Sequence, residues 1–229
     1  MDDFFQQWRT YRTVVQQGYM EHEAIAECLA GRMPRYSRGL DILDLGCGDA
    51  EVFFRLLPGM MVNSYQGVDG SADALAVLTS RFAGSEVDYR LYCQDMLVFL
   101  QSTRDQFDVV LAGYCIHHLS SDLKKQCLQL IARRLREQGV LFIYDIFLQP
   151  GETRQQYLAN YLSRVHACWR AMSGPALDAL DAHITHCDFP EEVGTFRQWA
   201  GDAGFQHFAC PWEGVWHSHK LLQLGRLLR

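Results

Sequence analysis

Residues 42 to 51 read Ile-Leu-Asp-Leu-Gly-Cys-Gly-Asp-Ala-Glu, an apolar run that stops at an acid, breaks into a glycine turn and leads into a second apolar stretch, Val52 to Leu57. A parallel strand buried on both faces carries such a run, and glycines after it let the backbone approach a bound nucleoside where the next helix begins. The segment reads as strand, turn and helix arranged to hold a nucleotide-like ligand.

Spacing narrows the ligand. A dinucleotide site places its glycines as Gly-x-Gly-x-x-Gly, so that the pyrophosphate rests on the helix N-terminus. Here Gly46 and Gly48 are followed by Ala50 and Glu51. An anionic side chain entering that helix repels a pyrophosphate and suits a ligand carrying positive charge. Together with Asp44, the set resembles the Asp-x-Gly-x-Gly-x-Gly motif of class I S-adenosylmethionine-dependent methyltransferases, with alanine in place of the last glycine.

The resemblance continues in register. Tyr65 to Gly70 ends a second strand at Asp69, 25 residues after Asp44 (69 minus 44), where a carboxylate can accept the ribose hydroxyls. Ser71 caps the helix that follows. Tyr89 to Met96 reads as a third strand and turn, and the family places there an acid that receives the adenine amino group. Asp95 is the candidate, with Met96 packing on the adenine. Phe107 to Tyr114 resembles the fourth strand, and Cys115-Ile116-His117-His118-Leu119 the His-His-Leu end of many small-molecule members.

The resemblance implies an α/β fold: a Rossmann-like, seven-stranded, mostly parallel sheet with helices on both faces, an antiparallel last strand and a helical cap. It implies S-adenosylmethionine as cofactor and S-adenosylhomocysteine as product. The cofactor residues it marks are Asp44, Gly46, Cys47, Gly48, Asp69, Gly70, Gln94, Asp95, Met96, Ala112 and Tyr114, with Tyr19 from the N-terminal helix.

The chain divides as one domain. Residues 1–38 read as an N-terminal helical lid, 39–147 as the cofactor-binding core, 148–190 as a helical substrate cap and 191–229 as the end of the sheet. In the lid, Phe5, Trp8, Arg12, Val15 and Tyr19 fall near one helix face. After the fourth strand, Asp122 to Arg136 repeats apolar residues at helical spacing, and Gly139 opens a fifth strand, Val140 to Phe147. The cap is helical by pattern from Thr153 to Met172, and long inserts at the carboxyl ends of parallel strands commonly form binding walls. Tyr157, Tyr161, Trp169 and, from the lid, Tyr11 are the substrate candidates. Val193 to Ala203 is a helix, and Phe205 to Cys210 with Lys220 to Leu227 a terminal antiparallel pair.

Composition bounds the function. At 229 residues, 48% hydrophobic, the chain can fill one large core. With 27 acidic against 21 basic residues the net charge is -6, so no general field draws a polyanion. The basic run Arg133-Arg134-Leu135-Arg136 reads as a solvated helix face. No nucleic-acid or membrane partner is expected, and no signal peptide or membrane span is read. Eight cysteines without a Cys-x-x-Cys pair suggest reduced thiols in a cytoplasm, and a monomer or homodimer is expected.

Chemistry then needs little from the protein, because a sulfonium methyl is already a strong electrophile. His117 and His118 lie where a general base would stand, and Asp145, ending the fifth strand, can orient a histidine or an amine. No metal is expected, although His183 and His186, one helical turn apart, and His217 and His219 are residues that could serve as ligands. The function expected is methyl transfer to oxygen, nitrogen or sulfur of a small molecule. The alternatives are a macromolecular acceptor and an inactive cofactor-binding partner subunit.

Overall fold

The strand that begins the decisive motif, β1 (Leu40–Leu45), is buried along almost its whole length in the computed structural model, which describes residues 12–172 and 174–226. Its alternate side chains enter two different cores. Leu40 and Ile42 face one that includes Phe53, Tyr65, Leu111 and Phe142. Leu43 and Leu45 face the other, with Leu100, Val110, Ile131 and Leu141. A strand covered on both faces carries apolar residues on both, as Leu40, Ile42, Leu43 and Leu45 do here, with the acids Asp41 and Asp44 toward its two ends.

Around it lie β2 (Val62–Asp69), β3 (Asp88–Cys93), β4 (Phe107–Gly113), β5 (Leu135–Leu148), β7 (His207–Glu213) and β8 (His219–Gly225), in the order β3-β2-β1-β4-β5-β8-β7. The pairs from β3 through β5 are parallel, and β8 runs antiparallel to both its neighbours. This is the seven-stranded sheet read from the sequence. A two-residue β6 (Glu191–Glu192) adds an eighth strand beside the end of β5. The chain reverses its winding direction at β1 and β4, and in open α/β sheets ligands bind outside the strand ends at such a switch point.

Local chemistry sets the helix starts. Ser71 Oγ accepts from Ala74 N–H at 3.0 Å to begin the helix Ala72–Arg81. Thr153 and Gln156 form a reciprocal capping box at the start of Arg154–Cys168.

Three boundaries differ from the sequence reading. The helix Ser121–Arg134 ends early and β5 starts at Leu135, because Arg136 is drawn to Asp41 at 2.7 Å and Asp108 at 2.8 Å. Gly139 lies within the resulting irregularity instead of opening the strand; a Cβ there would meet the Phe107 carbonyl oxygen at 3.0 Å. The basic run is accordingly tied into the fold, with Arg134 also donating to the Leu100 carbonyl at 3.1 Å. The cap is two helices, Arg154–Cys168 and Gly174–Cys187, because Trp169 turns out of the first to stack on Tyr19 with ring centroids 4.9 Å apart. No helix among the described residues is long and apolar enough to cross a membrane.

Candidate active site

At the carboxyl end of β1 every second residue is left-handed: Gly46 has φ 61°, Gly48 51° and Ala50 55°. Gly46 admits no side chain, since a Cβ would lie 2.4 Å from that of Cys115. Ala50 adopts the same conformation with its methyl buried, so alanine does serve in place of glycine, at a cost of about 1 kcal/mol in backbone strain. The loop is pinned to β2: Cys47 N–H donates to the Val68 carbonyl at 3.1 Å, and Gly48 N–H to Asp69 Oδ2 at 2.8 Å. Asp69 Oδ1 accepts from Ser71 N–H at 2.7 Å.

This turn is acidic. Asp44 is buried and accepts from the Tyr65 hydroxyl at 3.0 Å. Burial pushes its carboxyl up to about 7, against that hydrogen bond and with help from the Asp69 charge. Asp69 is also pushed up by burial, although two backbone N–H groups oppose the shift. Arg81 pairs with Asp49 at 3.4 Å and Glu51 at 3.0 Å, whereas Asp44 is met by the Tyr65 hydroxyl and Asp69 by two backbone N–H groups. A cationic ligand gains from such surroundings.

The remaining cofactor candidates line the ends of β3 and β4. Gln94 N–H donates to the Asp69 carbonyl at 3.1 Å. Asp95 caps the helix Met96–Ser102, its Oδ1 accepting from Leu97 at 2.8 Å and Val98 at 3.0 Å. Met96 is half-buried on the second core, Ala112 is fully buried in it, and Gly70 is exposed. Tyr114 takes φ 49° and donates its hydroxyl to the Met20 carbonyl at 2.5 Å, which ties the strand end to the N-terminal segment.

Beyond β4 the two histidines take opposite characters. His117 is buried, its Nδ1 bonded to Asp145 Oδ1 and its Nε2 3.4 Å from Asp188 Oδ1. Burial alone would lower its pKa, but the two carboxylates outweigh burial and raise it to about 10. At neutral pH this imidazole holds its proton, so it is not the free base the sequence suggested. His118 is lowered to about 4, first by burial and then by the charge on His117. It is neutral, with Nδ1 3.1 Å from the Cys187 carbonyl and 3.7 Å from Asp188 Oδ1.

Asp145 holds His117 and its loop through both carboxylate oxygens. Its Oδ2 accepts from the backbone N–H groups of Ile116 at 3.0 Å and His117 at 3.1 Å, and its Oδ1 from Ile146 at 2.8 Å. Asp188 is the residue that sequence reading missed. It lies 71 positions after His117 (188 minus 117), and no local motif marks it; only its place after the cap helix, before Phe189-Pro190, could have drawn notice.

The cap aromatics are packed. Tyr157, Tyr161 and Trp169 are 2%, 3% and 4% exposed and belong to the first core, filled with protein neighbours. Tyr157 and Tyr161 also touch a cavity of about 150 Å³ shared with Asn160, Arg164 and Trp216. Tyr19 anchors this region, stacking on Trp169 and accepting from Ala171 N–H at 2.9 Å. Tyr11 lies outside the described residues, as do Phe5 and Trp8.

His183, His186, His217 and His219 do not come together. His183 sits edge-on to His118 at 5.1 Å, while His186 bonds its own helix. His217 pairs with Glu213, and His219 bridges Tyr161 at 2.9 Å and Glu21 at 3.1 Å.

Residues 42–139 match the family model described as a methyltransferase domain. No curated protein sequence matches the chain. Among solved structures it is similar to an O-methyltransferase family protein from Burkholderia thailandensis (TM-score 0.66, 12% identity, 93% of this chain and 57% of that one). It is also similar to the cyclopropane synthase MmaA2 of Mycobacterium tuberculosis (TM-score 0.60, 18% identity, 82% of this chain and 62% of that one). The chain thus spans less than two thirds of the length of either. A third likeness is to a chain of the complex between the Haloferax volcanii Trm112 methyltransferase activator and a candidate methyltransferase (TM-score 0.66, 17% identity, 99% of this chain and 97% of that one).

Proposed function

We propose that the chain, whose residues 42–139 match a methyltransferase-domain model, acts as a class I S-adenosylmethionine-dependent methyltransferase, moving the methyl group of S-adenosylmethionine to an oxygen, nitrogen or sulfur nucleophile of a small molecule. The observation that carries this reading is the left-handed Gly46-Gly48-Ala50 turn with Asp69 clamped across it, at the sheet's switch point. Its acidic walls suit a sulfonium.

The residues divide the work. Gly46, Cys47 and Gly48 would bring bare backbone against the cofactor, Asp69 would take the ribose, and Asp95 with Gln94 and Met96 the adenine. Asp44 would face the cationic end. The cofactor, when bound, supplies an activated methyl group. Tyr114 and the lid hold the strand end that faces it, with Tyr19 keeping the cap against the lid. His118, neutral and half-exposed, is the better placed of the two histidines to accept an acceptor's proton. His117, Asp145 and Asp188 fix its surroundings. Tyr157, Tyr161 and Trp169 would then shape the acceptor site from behind.

Calorimetry with S-adenosylhomocysteine on the wild type and on Asp69→Ala tests the reading. We expect a loss of roughly 1.5 to 3 kcal/mol in the variant through lost charge-assisted hydrogen bonds. Equal affinity in both proteins overturns the ribose assignment, and no binding to the wild type overturns the cofactor.

The net charge of -6 argues against a polyanionic acceptor. Eight free cysteines support a reducing, cytoplasmic setting. A macromolecular acceptor is the second reading, favoured by the match over nearly the whole of both chains to one solved with a Trm112 activator. A gain in stability or turnover on adding such an activator would support it; activity of the isolated chain on small acceptors supports the first.

A further inference from the structure

Three side chains from two segments of the chain converge beyond the end of β4. His117 and His118 follow that strand, and Asp188 follows the second cap helix. One ligand atom from each lies within 4.8 Å of the others. Asp188 is 2% exposed, and its Oδ1 has no hydrogen-bond partner although it points between the two imidazoles. A buried carboxylate oxygen with no well-formed hydrogen bond is costly; the His117 ring at 3.4 Å answers it only in part, and a bound cation would complete it.

We propose that His117, His118 and Asp188 bind a divalent transition metal, zinc by geometry, with Asp145 orienting His117. The spacing carries the assignment. Ligand atoms about 2.0 to 2.2 Å from a tetrahedral ion stand roughly 3.3 to 3.6 Å apart. Asp188 Oδ1 is 3.4 Å from His117 Nε2 and 3.7 Å from His118 Nδ1, close to that separation and too far for good hydrogen bonds. Two imidazoles and a carboxylate are the donor set of an open zinc site, which leaves the fourth position to water or substrate.

The supporting shell is also present. A histidine that binds metal through Nε2 commonly gives its Nδ1 proton to a carboxylate, which fixes the ring and raises its basicity. Asp145 does this for His117 and is itself held by backbone N–H groups from Ile116, His117 and Ile146. Asp188 is positioned from several sides: Tyr157 donates to its Oδ2 at 3.4 Å and Arg154 to its carbonyl at 2.6 Å, while Phe189 N–H donates to the His117 carbonyl at 2.9 Å. The ion would displace the proton on His117 Nε2, and the His118 ring, 36% exposed, would exchange the Cys187 carbonyl for the metal.

Metal binding stands without the methyl-transfer reading. Its use rests on that reading: with the metal bound, His118 serves as a ligand instead of a base, and an acceptor hydroxyl or thiol in the open position would lose its proton to solvent more readily and be the better nucleophile.

The test is calorimetric titration of the chelator-treated, full-length chain with zinc, paired with the visible absorbance of the cobalt-substituted protein. We expect one tight equivalent and the intense visible bands of tetrahedral cobalt. Asp188→Asn and His118→Ala should each weaken binding at least tenfold, Asp145→Asn by 10 to 100-fold, and His217→Ala not at all. His118 is half-exposed, so its alanine variant keeps the result readable should Asp188→Asn fail to fold. Absence of the tight equivalent in the wild type overturns the site, as does zinc held equally by His118→Ala and Asp188→Asn. Cofactor binding is measured separately, so failure of the metal site leaves the methyltransferase reading to its own experiment.

Discussion

His117 and Asp145 are joined twice: the imidazole Nδ1 bonds one carboxylate oxygen, and the backbone N–H of His117 donates to the other at 3.1 Å. The pair therefore fixes both the ring and the loop that carries it. Asp145→Ala should destabilise the protein by roughly 3 to 5 kcal/mol, because it strands a buried charge and several backbone donors. Urea denaturation reads this directly; a loss below 1 kcal/mol would mean the loop holds itself.

His22 is buried, and burial lowers its pKa to about 4. The unfolded chain takes up that proton near pH 6.5. Stability from this residue is thus present above about 6.5 and lost as pH falls toward 4, by up to about 3 kcal/mol. His22→Leu should flatten the fall in melting temperature over that window. Parallel melting curves in both proteins would assign the acid sensitivity elsewhere.

Asp44, pushed up to about 7, is half protonated in the free protein at neutral pH. A cationic ligand beside it favours the carboxylate, so binding should release a proton and affinity should rise from pH 6 to pH 8. Calorimetry in buffers of different ionisation enthalpy detects that proton. An affinity flat with pH would place the cation away from Asp44.

Tyr161 separates packing from hydrogen bonding. Tyr161→Ala should cost roughly 3 to 5 kcal/mol, as expected for a large core aromatic. Tyr161→Phe loses only the bond to His219 and should cost about 1 kcal/mol. If both variants unfold at the temperature of the wild type, the ring is a pocket wall and no part of the core.

The parts of this protein legible in its sequence are those where local pattern and burial coincide. β1 and β4 are covered on both faces, so their apolar runs stand out, and Gly46 is where backbone geometry excludes other residues. Asp95 was readable only as an acid at a turn; its cap is visible, and its ligand role rests on family likeness. What stayed hidden depends on distant segments meeting. Asp188 enters the site because Lys124, through the Phe189 carbonyl, and Arg154 hold its strand of chain in place, and neither tie has a local signature. The early start of β5 hides in the same way, since Arg136 answers to Asp41 and Asp108, nearly a hundred and some thirty residues off. His183 looked like a partner of His186 by helical spacing, whereas its neighbour in space is His118.

β8 lies between β5 and β7, facing β5 from Val140 opposite Gly225 to Ile146 opposite His219. During synthesis, β5 is complete 71 residues before β8 begins (219 minus 148). At roughly 5 to 20 residues per second, that interval lasts about 4 to 14 s. For that time the nascent chain carries an apolar strand with one open flank, a template for pairing with other chains. The sheet cannot close until β8 has been made, so slow decoding of the codons between β5 and β8 would lengthen the period in which this protein is most prone to aggregate.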